Sequence, residues 1–199
     1  MFVPKPSRRI QFRALEDTDA ALLVTLHQDS RVASLIADGL IDSLEVAGRY
    51  VAWMKQIYVQ RPGLGVWMSV DRDTHAPIGL FGLMPIEGGS DIEIGARLAT
   101  TGWGHDYAVE GGAALLEHAF SVLKLATLWG TCRPDHRSAQ LVLARLDFDF
   151  HARRAAYGSD LVSFAKHRND FDAHATLPTR REAVQIVKRW QAVFAQDIK

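Results

Sequence analysis

Apolar and polar positions change period along the chain, and the changes mark the elements. Ile10, Phe12 and Ala14 alternate with Gln11 and Arg13, the pattern of a short strand. From residue 17 to about 36 the spacing turns helical, through Leu22, Leu23, Leu26, Val32 and Leu35. Ser43 is the expected N-cap of a second helix whose stripe is Val46, Tyr50, Trp53, Met54 and Ile57, stopped by Arg61-Pro62-Gly63. Strands are predicted over 66–70, 78–84 and 92–98. They are separated by the polar turn Asp71-Arg72-Asp73-Thr74-His75 and by Glu87-Gly88-Gly89-Ser90, and together they read as an antiparallel meander.

A helix is expected from about Tyr107, with Ala108, Gly112, Leu115, Leu116, Ala119, Phe120 and Leu123 on one face. A strand over 126–132, a helix over 138–146 and extended segments over 147–152 and 161–165 follow. Thr179 and Glu182 have the reciprocal spacing of a capping box, which opens a last helix with the stripe Val184, Val187, Trp190 and Phe194. The order β-α-α-β-β-β-α-β-α-β-β-α predicts an α/β (α+β) fold: a mixed, mostly antiparallel sheet flanked by helices, plus an extra C-terminal helix. No repeat or low-complexity tract interrupts it. The expected division is a domain over 1–170 and a helical extension over 171–199 packed on that domain.

Composition then removes function classes. Lys plus Arg and Asp plus Glu number 23 each, a formal net charge of +0, which argues against a nucleic-acid partner. Cys132 is the single cysteine, so no internal disulfide or four-cysteine zinc site can form. No apolar run reaches the roughly 18 residues of a membrane span. The opening MFVPKPSRRIQF has no apolar signal stretch, and the expected location is cytoplasmic. His27, His75, His118, His167 and His174 lack metal-ligand spacing and read as helix-surface or loop residues, so no metal is expected. Cys132, within an apolar strand, reads as buried filler.

Gly102 and Gly104 stand after a strand and before a helix, the position in which backbone N–H groups and a helix dipole receive anions. A plain strand-to-helix turn accounts for the two glycines alone. Four stretches together resemble the GNAT superfamily of acetyl-CoA-dependent N-acetyltransferases, in particular the ribosomal-protein N-terminal acetyltransferase branch of RimJ and RimL. They are Arg9-Ile10-Gln11-Phe12-Arg13 with Asp19; Glu93-Ile94-Gly95; Gly102-Trp103-Gly104-His105-Asp106-Tyr107-Ala108-Val109-Glu110; and Arg133-Pro134-Asp135-His136-Arg137-Ser138 through Leu143-Ala144-Arg145-Leu146-Asp147-Phe148.

The resemblance implies transfer of acetyl from acetyl-CoA to a primary amine by direct attack in a ternary complex. The acceptor would be a protein N-terminus or a small-molecule amine. It implies cofactor contacts from Leu98, whose strand would offer an N–H to the acyl oxygen, and from Gly102, Trp103, Gly104, His105, Asp106, Tyr107, Ala108, His136 and Ser138. Acetyl transfer needs a base for the amine and a proton for the leaving thiolate. Glu93 is the candidate base, with His151 as a second; Ser138 is the candidate proton donor, with Tyr157 and His136 as runners-up. Ser138 also reads as the N-cap of its helix, and Glu93 as an exposed strand carboxylate. The helix pair over 17–59, with Tyr50, Trp53 and Tyr58, would wall the acceptor. Arg137, the pair Arg153-Arg154 or the run Lys166-His167-Arg168 reads as solvated charge or as a CoA 3′-phosphate contact.

Two motifs depart from the family pattern, the first also at Thr101, where Gln or Arg is expected, and the second also at His136, where Asn is expected. Asp106 stands where Gly or Ala is expected, and Asp147 where Gly is expected; Asp tolerates the left-handed turn better than most residues. Pointed at a pyrophosphate 4 Å away, the Asp106 charge would cost about 4 kcal/mol at an effective dielectric near 20. The alternative reading is therefore a degenerate GNAT-fold interaction module with an impaired CoA site. The last helix either packs on its own domain or covers a partner subunit, a homodimer being one form of that.

Overall fold

A computed structural model describes residues 2–36 and 39–196. Residues 37 and 38 of the predicted acceptor wall, and 197–199 of the predicted extension, lie outside it. Among the described residues there are seven strands: β1 (Ile10–Ala14), β2 (Gly65–Asp71), β3 (Pro77–Pro85), β4 (Ile92–Leu98), β5 (Thr127–Cys132), β6 (Asp149–Ala156) and β7 (Ser159–His167). The helices are α1 (Ala20–Gln28), α2 (Ser30–Ala33), α3 (Leu44–Gln60), α4 (Tyr107–Glu117), α5 (Arg137–Arg145) and α6 (Arg180–Gln196). Hydrogen bonding orders the strands β1-β2-β3-β4-β5-β7-β6 in one mixed sheet. β1–β2, β2–β3, β5–β7 and β6–β7 are antiparallel, and β4 meets β5 in parallel at Glu93 opposite Trp129. The parallel step follows from the crossover through α4, since only a long connection can return a chain in the same direction. Among the described residues no helix is long and apolar enough to cross a membrane.

Two compact units divide the chain: residues 1–84 with 94–123, and residues 85–93 with 124–199. In the first, Phe12 and Phe81 pack edge to face with ring centroids 5.7 Å apart, among the buried Ile10, Leu23, Met54, Trp67, Leu80 and Leu115. Glycine permits two close approaches there. A Cβ at Gly111 on α4 would lie 2.3 Å from the Phe81 ring, and one at Gly79 on β3 would lie 2.2 Å from the Arg97 carbonyl of β4.

The helical readings over the first sixty residues change in three ways. The helix expected from residue 17 breaks at Asp29, whose extended backbone (ψ 111°) lets its carboxylate accept from Arg31 N and cap α2. Ser43 caps α3 by accepting from Val46 N, as expected. The α3 stripe is rotated, however: Ala47, Val51, Met54, Ile57 and Tyr58 are buried, while Val46 and Tyr50 are half-buried and Trp53 is exposed. Small Ala47 lets the helix approach its neighbours, a preference that size-weighted apolar reading misses. Tyr58 belongs to this core and not to an acceptor wall, since its hydroxyl accepts from Leu15 N and donates to the Val66 carbonyl. Two histidines also move inward. His27 Nδ1 accepts from Ile41 N, and buried His118, in the π-helical turn that follows α4, bonds the Gly63 carbonyl.

The second unit buries Leu128, Leu143, Phe148, Leu161, Val162 and Phe164. α6 packs on it through Ala183, Val187, Trp190 and Phe194, with Phe164–Trp190 centroids 4.6 Å apart and Phe150–Phe194 4.9 Å apart. Ala183 rather than half-buried Val184 opens that stripe. The Thr179–Glu182 capping box is present: Thr179 N donates to Glu182 Oε2 (2.8 Å) and Glu182 N to Thr179 Oγ1 (3.3 Å). Cys132 is buried filler, and burial pushes its thiol up to about 12. Arg153 pairs with Asp160, Arg154 with Asp91, and buried Lys166 with Asp147, so these cations brace the unit and are not solvated charge.

Two measurements check this packing. Gly79→Ala places a methyl against β4 backbone at a φ of +150°, so it is expected to cost about 2 kcal/mol or more and to lower Tm by roughly 4–8 °C. Desolvation lowers the His118 pKa below its usual 6.5, and the bond to Gly63 only partly opposes it. The folded state therefore takes up the proton less readily than the unfolded chain. The stability this contributes is intact above pH 6.5 and is lost as the pH falls through the lower, folded value. Thermal melts from pH 7.5 to 5 are expected to show Tm falling in that window, and a flat profile would contradict the assignment.

Candidate functional site

In the first unit the predicted cofactor residues form one loop. A 3-10 turn over Thr100–Gly102 closes after β4, with Gly102 buried and its N–H donating to the Ala99 carbonyl (2.8 Å). Trp103 is exposed, and its Nε1 donates to the Leu98 carbonyl (3.1 Å). This ties the loop back to the strand that carries Leu98. Gly104 at φ +80° and Asp106 at φ +59° turn the backbone left-handed, and α4 starts at Tyr107. The first helical bonds run from Val109 and Glu110 N to the Asp106 carbonyl, so the N–H groups of Tyr107 and Ala108 precede the ladder and are the orphan donors of this terminus. No atom lies within 4 Å of where a Gly104 Cβ would stand. Open space, a left-handed backbone and a helix N-terminus are together the chemistry of an anion cradle.

Polar contacts brace that loop at both ends. Thr100 Oγ1 accepts from Arg31 Nη2 (2.9 Å) and bonds Asp29 Oδ2 (3.1 Å). At the other end Arg9 Nη2 donates to the His105 carbonyl (2.8 Å), its Nε donates to Glu110 Oε2 (2.6 Å), and its guanidinium lies 4.5 Å from the Tyr107 ring centroid. Burial works against the Glu110 charge, but bonds from Ser7 Oγ, Arg9 N and Arg9 Nε outweigh it and hold the carboxyl below its ordinary range. Tyr107 Oη donates to Asp71 Oδ2 (2.9 Å), and bonds led by Thr74 N hold that carboxyl down to about 2.

Asp106 is exposed and makes no side-chain cap bond, and its charge is one of those raising the Arg9 pKa. The residue thus occupies a left-handed position that Asp accepts more readily than most side chains, beside a cation. Asp147 does the same at the end of α5: φ is +60°, Phe148 N donates to the Leu143 carbonyl (3.0 Å), and Lys166 Nζ holds the Asp147 carboxylate at 2.6 Å. Gly is favoured in such positions because it lacks the Cβ that makes them costly.

The second unit carries the acid–base candidates in two clusters. Glu93 is half-buried at the start of β4 and accepts at both oxygens, from Thr131 Oγ1 and from Tyr157 Oη, each at 2.6 Å. It is not a loose strand carboxylate. Tyr157 sits at the two-residue β6–β7 turn with φ +53°, followed by Gly158 at +67°, the positive-φ pair of a type I′ hairpin. Trp129 packs with Tyr157 on Ile86, Ala156 and Leu161, and exposed His151 meets Trp129 edge-on at 4.8 Å.

The other cluster is His136 with Ser138. His136, not Ser138, caps α5: its Nδ1 accepts from Ala139 N (3.4 Å), while Ser138 lies one residue inside the helix and bonds the same nitrogen (3.1 Å). An accepting Nδ1 places the imidazole proton on Nε2 and makes the Ser138 hydroxyl a donor. Burial lowers the His136 pKa, the Arg133 charge adds to this, and Asp135 opposes it. Among the described residues no group of three or more His, Cys, Asp or Glu side chains is arranged to hold a metal ion.

Thr131 and Glu87 are the residues that sequence reasoning passed over. Thr131 alternates on β5 with Trp129, which is opposite Glu93, and that register is invisible before the strands pair. Glu87 reads as a turn residue, and only the fold shows its Oε2 accepting from Tyr157 N (2.6 Å).

The geometry can now be set beside known proteins. The acetyltransferase (GNAT) domain family matches residues 9–149. No curated protein sequence matches the chain. Among solved structures, a GNAT-family acetyltransferase from Bacillus anthracis superposes with TM-score 0.71 at 19% identity, covering 85% of this chain and 100% of that one. A ribosomal-protein-S5-alanine acetyltransferase from Vibrio fischeri gives 0.70 at 16%, covering 85% and 99%. A spermidine N-acetyltransferase from Vibrio cholerae, in complex with CoA and spermine, gives 0.65 at 15%, covering 80% and 96%. At such identities the structures speak to the fold, and the family match covers well over half of the sequence. The chain belongs to the GNAT acetyltransferase family.

Proposed function

We propose that this protein moves acetyl from acetyl-CoA to a primary amine by direct attack, in the manner of the RimJ/RimL branch, as a cytoplasmic enzyme. The acceptor class is a protein N-terminus or a small polyamine-like amine. The observation that carries the reading is the braced loop at the head of α4. There Gly104 and Asp106 turn the backbone so that the Tyr107 and Ala108 N–H groups head a helix, and these donors would take the pyrophosphate. Leu98, Gly102, Trp103 and His105 belong to the same strand-and-loop segment. His136 would offer its Nε2–H to the pantetheine arm.

Glu93 receives the amine proton in this scheme, and Tyr157 gives a proton to the leaving thiolate. As the N–C bond forms and the C–S bond breaks, one proton leaves nitrogen for Glu93 and the Tyr157 hydroxyl proton goes to the thiolate. The Glu93 proton then returns to the phenolate along their shared hydrogen bond, so that one proton in total has moved from nitrogen to sulfur. Ser138 is the second donor candidate, but its hydroxyl is engaged by His136. Asp106 is exposed and makes no side-chain cap bond at the head of α4, which favours a working cradle over a closed one.

Calorimetric titration with acetyl-CoA is expected to give a micromolar Kd that weakens with added salt, as an anion site should. Asp106→Gly is expected to shift that Kd by less than about threefold (under ~0.7 kcal/mol), because the exposed carboxylate makes no cap bond at the helix head and solvent screens its charge. No heat at millimolar ligand, with binding restored by Asp106→Gly, would establish the closed site instead. Glu93→Gln is expected to lower kcat by about 10²-fold or more while leaving the acetyl-CoA Kd unchanged, and a wild-type kcat would remove Glu93 from the chemistry.

A further inference from the structure

Tyr157 occupies a backbone conformation that suits it poorly. Left-handed φ costs a bulky L-residue of order 1–2 kcal/mol, and type I′ turns favour Asn, Asp or Gly at this position. Such an outlier persists only where its surroundings hold it. Two carboxylates do so. Glu93 accepts from the phenol, and Glu87 Oε2 accepts from the Tyr157 backbone N–H at 2.6 Å. The ladder of the hairpin has no acceptor for that N–H. Ala156 pairs with Ser159, and the first turn residue projects its donor outward. Glu87 itself is exposed in the β3–β4 turn and contributes nothing to the apolar cluster beneath, so packing gives no reason for a carboxylate there.

We infer that Glu87 is a positioning residue for acetyl transfer: by capping the Tyr157 N–H it holds the strained turn, and the turn holds the phenol on Glu93. Thr131 does the complementary work on the other side, fastening Glu93 Oε2 so that Oε1 faces Tyr157. Both carboxylates and both hydroxyls belong to the second unit, and four separate turns or strands supply them. The inference rests on the reading of Glu93 and Tyr157 as the proton-transfer pair, and its test separates the two.

Glu87→Ala and Glu87→Gln are made alone and in a Tyr157→Phe background. Turnover is followed with acetyl-CoA and two probe amines, spermidine and an alanine-initiated peptide. Glu87→Ala is expected to lower kcat about tenfold or more with the acetyl-CoA KM unchanged, because a small displacement of a proton donor is costly. Glu87→Gln is expected to stay within about threefold of wild type, since its amide oxygen still accepts the N–H. In the Tyr157→Phe background, Glu87→Ala is expected to remove nothing more. An equal loss in that background, or a loss in Glu87→Gln as large as in Glu87→Ala, overturns the inference while leaving the proton-transfer reading intact.

A wild-type rate for Tyr157→Phe overturns the underlying donor role and the inference with it. A readout needing no acceptor runs beside this. In protein labelled with ¹³C-tyrosine, the Tyr157 Cζ resonance, identified by its absence in Tyr157→Phe, is expected to move in Glu87→Ala and to stay in Glu87→Gln. An unmoved resonance in Glu87→Ala overturns the inference whatever the rates.

Discussion

Glu110 holds the head of α4 in place, and the first unit's chemistry depends on it. One half-buried carboxylate collects the Ser7 hydroxyl, the Arg9 backbone N–H and the Arg9 Nε, so the segment leading into β1 is tied to the helix more than a hundred residues later. The rest of the Arg9 fork then reaches the His105 carbonyl and covers the Tyr107 ring. Arginine suits this place because its planar donors address two acceptors at once while the face stacks on an aromatic. The result is a loop whose backbone donors are fixed in advance. A donor that need not reorganise when it meets charge acts more strongly than the same donor on a mobile loop.

Among the described residues five non-glycine positions have left-handed backbones, and three of them, Asp106, Asp147 and Tyr157, lie in the segments that resemble the family motifs or carry the acid–base candidates. Asp106 and Asp147 are the departures that chemistry tolerates, and each has a cation nearby: Arg9 for the first, Lys166 for the second. Tyr157 is of another kind. Its side chain gains nothing locally from the conformation, and two carboxylates hold it there. The ring packs beside Trp129 on Ile86, Ala156 and Leu161, and strain that polar contacts maintain at such a turn points to what the phenol does.

The second unit also shows how far charge can be absorbed into structure. Arg153, Arg154 and Lys166 look solvated in the sequence, but each meets a carboxylate across strands or a turn. Arg153 in addition donates to the Phe194 carbonyl, which binds α6 to the β6–β7 ribbon alongside the aromatic contacts of Phe164, Trp190 and Phe194.

Much of the molecule was legible in the chain itself. Element order, the Ser43 cap, the Thr179–Glu182 box and the left-handed turn at Asp147 depend on residues within a few positions of one another, so local periodicity and capping chemistry suffice to find them. The family motifs were readable for the same reason, each being a short run. Burial faces were legible only in part. Ala47 and Ala183 are small residues facing the core, and a stripe drawn through the largest side chains passes beside them. The tertiary structure alone decided the rest. That His136 displaces Ser138 as the α5 cap, that Tyr58 serves the core, and that Glu87, Glu93, Thr131 and Tyr157 form one network all depend on groups 38 to 70 residues apart, or on which of two neighbouring side chains reaches a backbone N–H first. Hydrogen bonds act over about 3 Å, and sequence separation carries no information at that scale until strand register and turn geometry have set it.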